Sequence, residues 1–141
     1  MAVTYQVDGP LIHVIAKGCV ALVDFHDHLL ERIRDPRIHE NMCELLDATG
    51  LERIELSRSD IAALVQCQRD HATLFLPIPL AIVTREPVLF YARTFQSLAG
   101  SADRMIRIFP TRRQAEGWLR ALQAVAGRCV GNLEHIRQLR R

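Results

Sequence analysis

The stretch C-E-L-L-D-A-T-G-L-E-R-I-E-L-S-R-S-D, Cys43 to Asp60, holds the residue types most suggestive of chemistry. An apolar run ends in Asp47, Thr49-Gly50 follows, and Ser57 and Ser59 then precede a helical pattern. A phosphate on either serine would sit at a helix N-terminus, where unpaired backbone N–H groups and the helix dipole favour an anion. The same place suits serine as an N-cap, and capping is the expected role of Ser57 or Ser59. Both stay as candidate phosphorylation sites. D-A-T-G occurs once, and an aspartic-protease dyad needs a second carboxylate. The segment around Asp47 is therefore expected to be a strand end and a turn.

His26 and His28 stand beside Asp24 and Asp27. On a helix, residues two apart point roughly 200° from one another and cannot converge on one ion. Asp24 and His28 share a face but supply too few ligands for a metal site, so a solvated helix face is expected and no metal. His13, His39, His71 and His135 are isolated, with no Ser-His-Asp or Cys-His spacing. Cys19, Cys43, Cys67 and Cys129 form no C-x-x-C pair. Reduced, mostly buried thiols fit better than zinc or a disulfide framework. No catalytic residue and no cofactor emerge, and an enzyme is the least expected class.

The segment V-L-F-Y-A-R-T-F carries a different signal. Val88, Tyr91, Ala92 and Phe95 fall on one helical stripe, which leaves Leu89 and Phe90 pointing elsewhere. Two large apolar side chains outside the stripe mark a dimer contact or the lip of an apolar pocket. L-F-L-P-I-P-L-A-I-V, Leu74 to Val83, is more apolar than one short strand requires. Pro77 and Pro79 suggest a loop that exposes Leu76 or Ile78 at the mouth of a crevice. Thr84 and Arg85 follow the carboxyl end of that strand, where open α/β sheets bind ligands, and arginine suits an anionic head group. Arg85, Phe90, Tyr91 and Phe95 are the candidate ligand-binding residues.

These residues need elements to position them, and the chain provides an alternating set. Val3 to Val7 and Leu11 to Ala16 read as a hairpin around Asp8-Gly9-Pro10, closed by Gly18. Leu22, Phe25, Leu29 and Ile33 mark a helix that Asp35-Pro36 ends. Cys43 to Leu46 is a buried strand, with a brief extended piece at Ile54 and Leu56. A second helix buries Ile61, Leu64, Val65 and Ala72; Leu80 to Val83 is a strand covered on both faces. A third helix begins near Pro87 and buries Val88 through Leu98 on its stripe. Met105 to Phe109 is the last strand, and Thr111 with Gln114 caps a fourth helix that buries Ala115, Trp118, Leu119, Leu122 and Val125. Gly127 is its expected stop.

The order ββαβαβαβα predicts an open, mixed, mostly parallel sheet with an N-terminal β-hairpin and flanking helices. Length fits one α/β domain over residues 3–125, followed by a basic tail, 126–141, able to form a short helix. With 49% hydrophobic residues the chain can build a core without metal or disulfide staples. A net charge of +2 gives no case for nucleic acid, and Lys17 is the only lysine. No apolar run approaches the ~18–20 residues of a membrane span. The N-terminus lacks a signal's basic and apolar regions, so a cytoplasmic protein is expected.

The C-terminal half adds a resemblance. A strand Ala81 to Val83, a helix with Tyr91 to Phe95, a strand Ile106 to Phe109 and the segment Ala115 to Leu119 recur in order. Together they resemble the bacterial SpoIIAA-like proteins of the STAS superfamily, whose fold description is related to that of CRAL-TRIO lipid-binding modules. The N-terminal hairpin and L-L-D-A-T-G fall in the matching places, so the likeness covers about residues 3–125. It implies an open sheet flanked by helices and a homodimer, and no established chemistry. STAS phosphorylation sites resemble Asp-Ser-Ser/Thr-Gly at the second helix; here L-S-R-S-D lacks the glycine. The expected function is a non-enzymatic regulatory or protein-interaction module, self-associating through Leu89 and Phe90. The alternative is a carrier or sensor of an apolar or amphipathic small molecule such as a lipid, held near Arg85, Tyr91 and Phe95. Such a carrier is expected to hold an apolar cavity of about 300 Å³ or more.

Overall fold

The structure is a computed structural model that describes residues 2–100 and 104–139, with 126–139 described as backbone. Gly9, at φ 58°, makes the tight turn between β1 (Val3–Asp8) and β2 (Leu11–Ala21), which pair antiparallel from Val3↔Ala16 to Asp8↔Leu11. Gly18 does not close β2. Its φ of 73° belongs to a region that only glycine enters freely, and the strand bulges there and continues to Ala21.

Helix α1 (Leu22–Arg34) begins where the Asp24 carboxylate accepts the Ala21 N–H at 2.8 Å, and it ends at Asp35-Pro36. The next strand is far longer than the sequence suggests. β3 runs from Cys43 to Glu55 and pairs parallel with β2 from Leu11↔Cys43 to Ala21↔Glu55. The expected turn at Asp47 to Gly50 is therefore strand. Asp47 Oδ1 accepts the Thr49 N–H at 3.0 Å and the Thr49 hydroxyl at 2.6 Å, opposite the irregular part of β2. Local polar bonding thus stands in for turn chemistry without breaking the parallel ladder.

Ser57 caps α2 (Arg58–Asp70): its hydroxyl accepts the Asp60 N–H at 3.1 Å, and the Asp60 carboxylate accepts the Ser57 N–H at 2.9 Å. The helix stops at His71, so Ala72 opens a separate short helix, α3 (Ala72–Phe75). Ile78 is not exposed but fully buried beneath the hairpin's core, and Leu76 is half-buried. After β4 (Leu80–Val83), Pro87 lies in a turn, and α4 spans Leu89–Ala99. β5 (Ile106–Phe109) leads to α5 (Arg112–Leu139), whose first turn Thr111 caps through the Gln114 N–H at 3.3 Å. Gly127 does not stop α5. An interior glycine costs a helix about 1 kcal/mol but retains its N–H and bars no helical dihedral.

Among the described residues the sheet has five strands in the order β1-β2-β3-β4-β5, parallel from β2 onward. This is the mixed α/β architecture expected. Helices α1, α2 and α4 cover one face, where Val14, Leu46, Leu80 and Ile82 meet Phe25, Val65 and Ala92. Helix α5 covers the other, packing Ala115 and Leu119 on Cys43, Leu45, Ala81 and Val83. Val125 lies outside that contact, 55% exposed. β4 pairs with β3 only as far as Asp47↔Val83. The rest of β3 runs on past the end of β4 to Glu55.

Candidate functional site

Helical and strand periods bring five polar side chains into the apolar interior. On α1, Phe25, His28, Leu29 and Arg32 follow the i, i+3, i+4, i+7 stripe that faces the sheet. On β3, alternation turns Glu44 to the same side as Leu46, away from α5. Gln68 lies on the α2 stripe of Ile61, Leu64 and Val65, and Arg104 precedes β5. All five are buried, Arg32 to 2% exposure.

Glu44 Oε2 forms an ion pair with Arg32 Nη1 at 2.7 Å, and Oε1 accepts a hydrogen bond from Arg104 Nη2 at 2.6 Å. Arg104 is otherwise satisfied: Nε donates to the Ile78 carbonyl at 2.8 Å and Nη1 to Gln68 Oε1 at 2.9 Å. Arg32 is not. Its Cζ lies 4.8 Å from the Phe75 ring centroid, a cation–π contact, but Nε and Nη2 have no partner among the described residues. Burial pushes the Glu44 carboxyl up, but Arg32 and Arg104 outweigh it and hold the group down at about 2. One carboxylate thus faces two guanidiniums, a surplus of one positive charge. His28 does not cancel it. Burial lowers its pKa to about 4, so it is neutral at pH 7, edge-on to the Tyr5 ring at 5.3 Å with Nδ1 unpartnered. Each buried donor without a partner costs about 1–3 kcal/mol.

These groups line a cavity of about 110 Å³ between the sheet and helices α1, α2 and α4. Its remaining walls are apolar, with Leu29, Leu64 and Ile82 deep and Leu51, Ile54, Tyr91 and Phe95 half-exposed nearer the surface. The half-exposed set comes from the end of β3 and from α4. The volume falls below the ~300 Å³ expected of a drug-sized carrier site. It suits a compact occupant.

The candidate residues divide. Tyr91 and Phe95 line the cavity; Arg85 and Phe90 are exposed and do not. Phe90 is 67% exposed and stands edge-on to Tyr91 at 5.6 Å. Ser57 and Ser59 are exposed, their hydroxyl oxygens 3.0 Å apart at the start of α2. A shallower groove of about 380 Å³ lies at the carboxyl ends of β4 and β5, bordered by Thr84, Leu89, Arg93 and Arg107. His28 departs from the solvated face expected of Asp24, His26, Asp27 and His28: it is buried, Asp24 caps α1, and His26 and Asp27 are exposed. The thiols are more mixed than expected, with Cys43 buried, Cys67 half-buried and Cys19 exposed, all three unpaired. Cys129 lies outside the residues whose side chains are described. Among the described residues, no three His, Cys, Asp or Glu cluster as metal ligands, and no helix is long and apolar enough to cross a membrane.

Sequence reasoning missed Arg32, Glu44, Gln68 and Arg104. A signal was present for the first two. Arg32 is three residues past Leu29 on the apolar stripe, and Glu44 interrupts the apolar run Cys43 to Leu46.

No family model and no curated protein sequence matches the chain. A solved structure does: an uncharacterized protein from the DUF3478 family with a SpoIIAA-like fold, from Shewanella loihica PV-4. The two are 17% identical over 84% of this chain and 92% of that one, with a TM-score of 0.53. The chain has a SpoIIAA-like α/β fold, as its motif order implied.

Proposed function

We propose that the protein is a non-enzymatic binding module that carries or senses a small amphipathic molecule in the cavity beneath α1, α2 and α4. The observation that carries this reading is an apolar cavity with buried, incompletely satisfied polar groups set into its wall. An ordinary core avoids that combination, because polar groups withdrawn from water without partners destabilise it. A binding cavity uses it, with apolar walls supplying affinity and a few convergent polar groups fixing orientation. A regulatory role suits the reading, since occupancy of a site between sheet and helices can be passed to the surface that α4 presents.

A second reading, the self-associating interaction module, draws support from Phe90, a large apolar side chain exposed on α4 beside the cavity wall. One experiment addresses both. Native mass spectrometry of gently purified protein, compared with the denatured chain, should show a discrete extra mass that denaturation releases. Ala92→Leu, which pushes volume into the cavity from α4, should abolish that mass while leaving the circular dichroism spectrum unchanged. A bare chain mass in both proteins would count against the cavity, and a bare dimer would move the weight to the Phe90 surface.

A further inference from the structure

We infer that the occupant of the cavity is a monoanionic amphiphile, its carboxylate meeting the buried, unpartnered Nε–Nη2 edge of Arg32 and its apolar body lying toward Tyr91 and Phe95. This rests on the cavity being a binding site, as proposed above, and adds the charge and orientation of what it binds.

Three observations carry the assignment. The first is the direction of the free donors. In a guanidinium the Nε–H and one N–H of Nη2 project side by side from one edge, forming the fork that a carboxylate meets with two parallel hydrogen bonds. Glu44 occupies Nη1 of Arg32, and the forked edge is the part left without a partner among the described residues. The second is charge. Arg104 spends Nε, Nη1 and Nη2 on Ile78, Gln68 and Glu44, and both Glu44 oxygens are taken. The surplus positive charge therefore resides on Arg32, which is 2% exposed and whose Nε and Nη2 are unpartnered among the described residues and closed to solvent. Water can satisfy the donors there but not neutralise the charge. A single negative charge does both, whereas a dianionic phosphate would leave its own excess buried. The third is the wall: apart from the polar floor the cavity is lined by aliphatic and aromatic side chains. That disfavours a small inorganic anion and favours a head group with a hydrocarbon attached.

Octanoate and 1-octanol, which share a chain length and differ in head-group charge, provide the test by isothermal titration at neutral pH. Octanoate should bind the wild-type protein at least about tenfold more tightly than octanol, a difference worth about 1.4 kcal/mol. Arg32→Gln should reduce that preference to near unity. Because Arg32→Gln could impair folding, the wild-type protein supplies a second readout: the Arg32 Nε–H resonance should shift on adding octanoate and not octanol, while that of Arg104 stays in place. Equal binding of octanoate and octanol would overturn the anion assignment and leave the cavity as an apolar site. Preference for octanoate with no shift at Arg32 would also overturn it, placing the anion elsewhere. Binding of neither would overturn both this inference and the carrier reading beneath it.

Discussion

At His28 the protein holds a titratable ring where water cannot reach it, and the cost of charging it becomes a pH dependence of folding. Burial lowers the pKa from 6.5 to about 4 in the folded state. The unfolded chain therefore takes the proton first as pH falls. Stability from the neutral ring is fully present above pH 6.5 and is lost as the pH drops toward 4. Integrating that difference predicts a loss of about 2 kcal/mol between about pH 7 and pH 5, measurable by urea denaturation. His28→Leu should remove most of the slope. A smaller slope of the same sign remains from His13, whose pKa burial and Arg112 also lower. Glu44, held at about 2, contributes above its ordinary 4.5 and is lost only below that window. A slope unchanged in His28→Leu would contradict the buried, neutral ring. The position of His28 was legible in the stripe Phe25, Leu29, Arg32. Its polarity and the neighbouring Asp24 and Asp27 concealed it, because side-chain type alone predicts a wet face.

At the scale of elements, what could be read from sequence was each segment's own periodicity. Helices α2 and α4 and strands β4 and β5 follow from Ile61–Leu64–Val65, Val88–Tyr91–Phe95, Leu80–Val83 and Met105–Phe109, although Val88 is only the N-cap of α4 and Met105 lies exposed before β5. The true lengths of β2 and β3 were not readable. They depend on a partner strand about thirty residues away, and pairing can hold polar stretches such as Asp47 to Gly50 extended. Gly18 makes that pairing possible at one point, and it yields a prediction. A Cβ there would meet nothing within 4 Å, so the φ of 73° alone sets the cost. Gly18→Ala should destabilise the protein by about 1–2 kcal/mol, seen as a lower urea midpoint with an unchanged m-value. No change in midpoint would mean that β2 leaves the ladder near Gly18.

At the scale of the whole molecule, a ligand that enters only the folded cavity stabilises everything that folds with it. Octanoate at about one hundred times its dissociation constant should add about 2.7 kcal/mol, raising the melting temperature by roughly 5–10 °C for a chain of this size. A melting temperature that stays flat under saturating octanoate would rule out selective binding to the native state. The order of strands and helices was legible; the cavity was not, because its charges meet only after the chain has folded. Arg32, Glu44, Gln68 and Arg104 come from α1, β3, α2 and the approach to β5. That spread has an evolutionary consequence. Removing one member of a buried ion set strands the others, at about 3–5 kcal/mol, whereas replacing the set with apolar groups is often neutral or better. Single substitutions at Arg32, Glu44 or Arg104 lead downhill although their joint replacement need not. Over descent the three positions should therefore be kept together or exchanged together, a covariation linking parts of the chain that no local pattern connects.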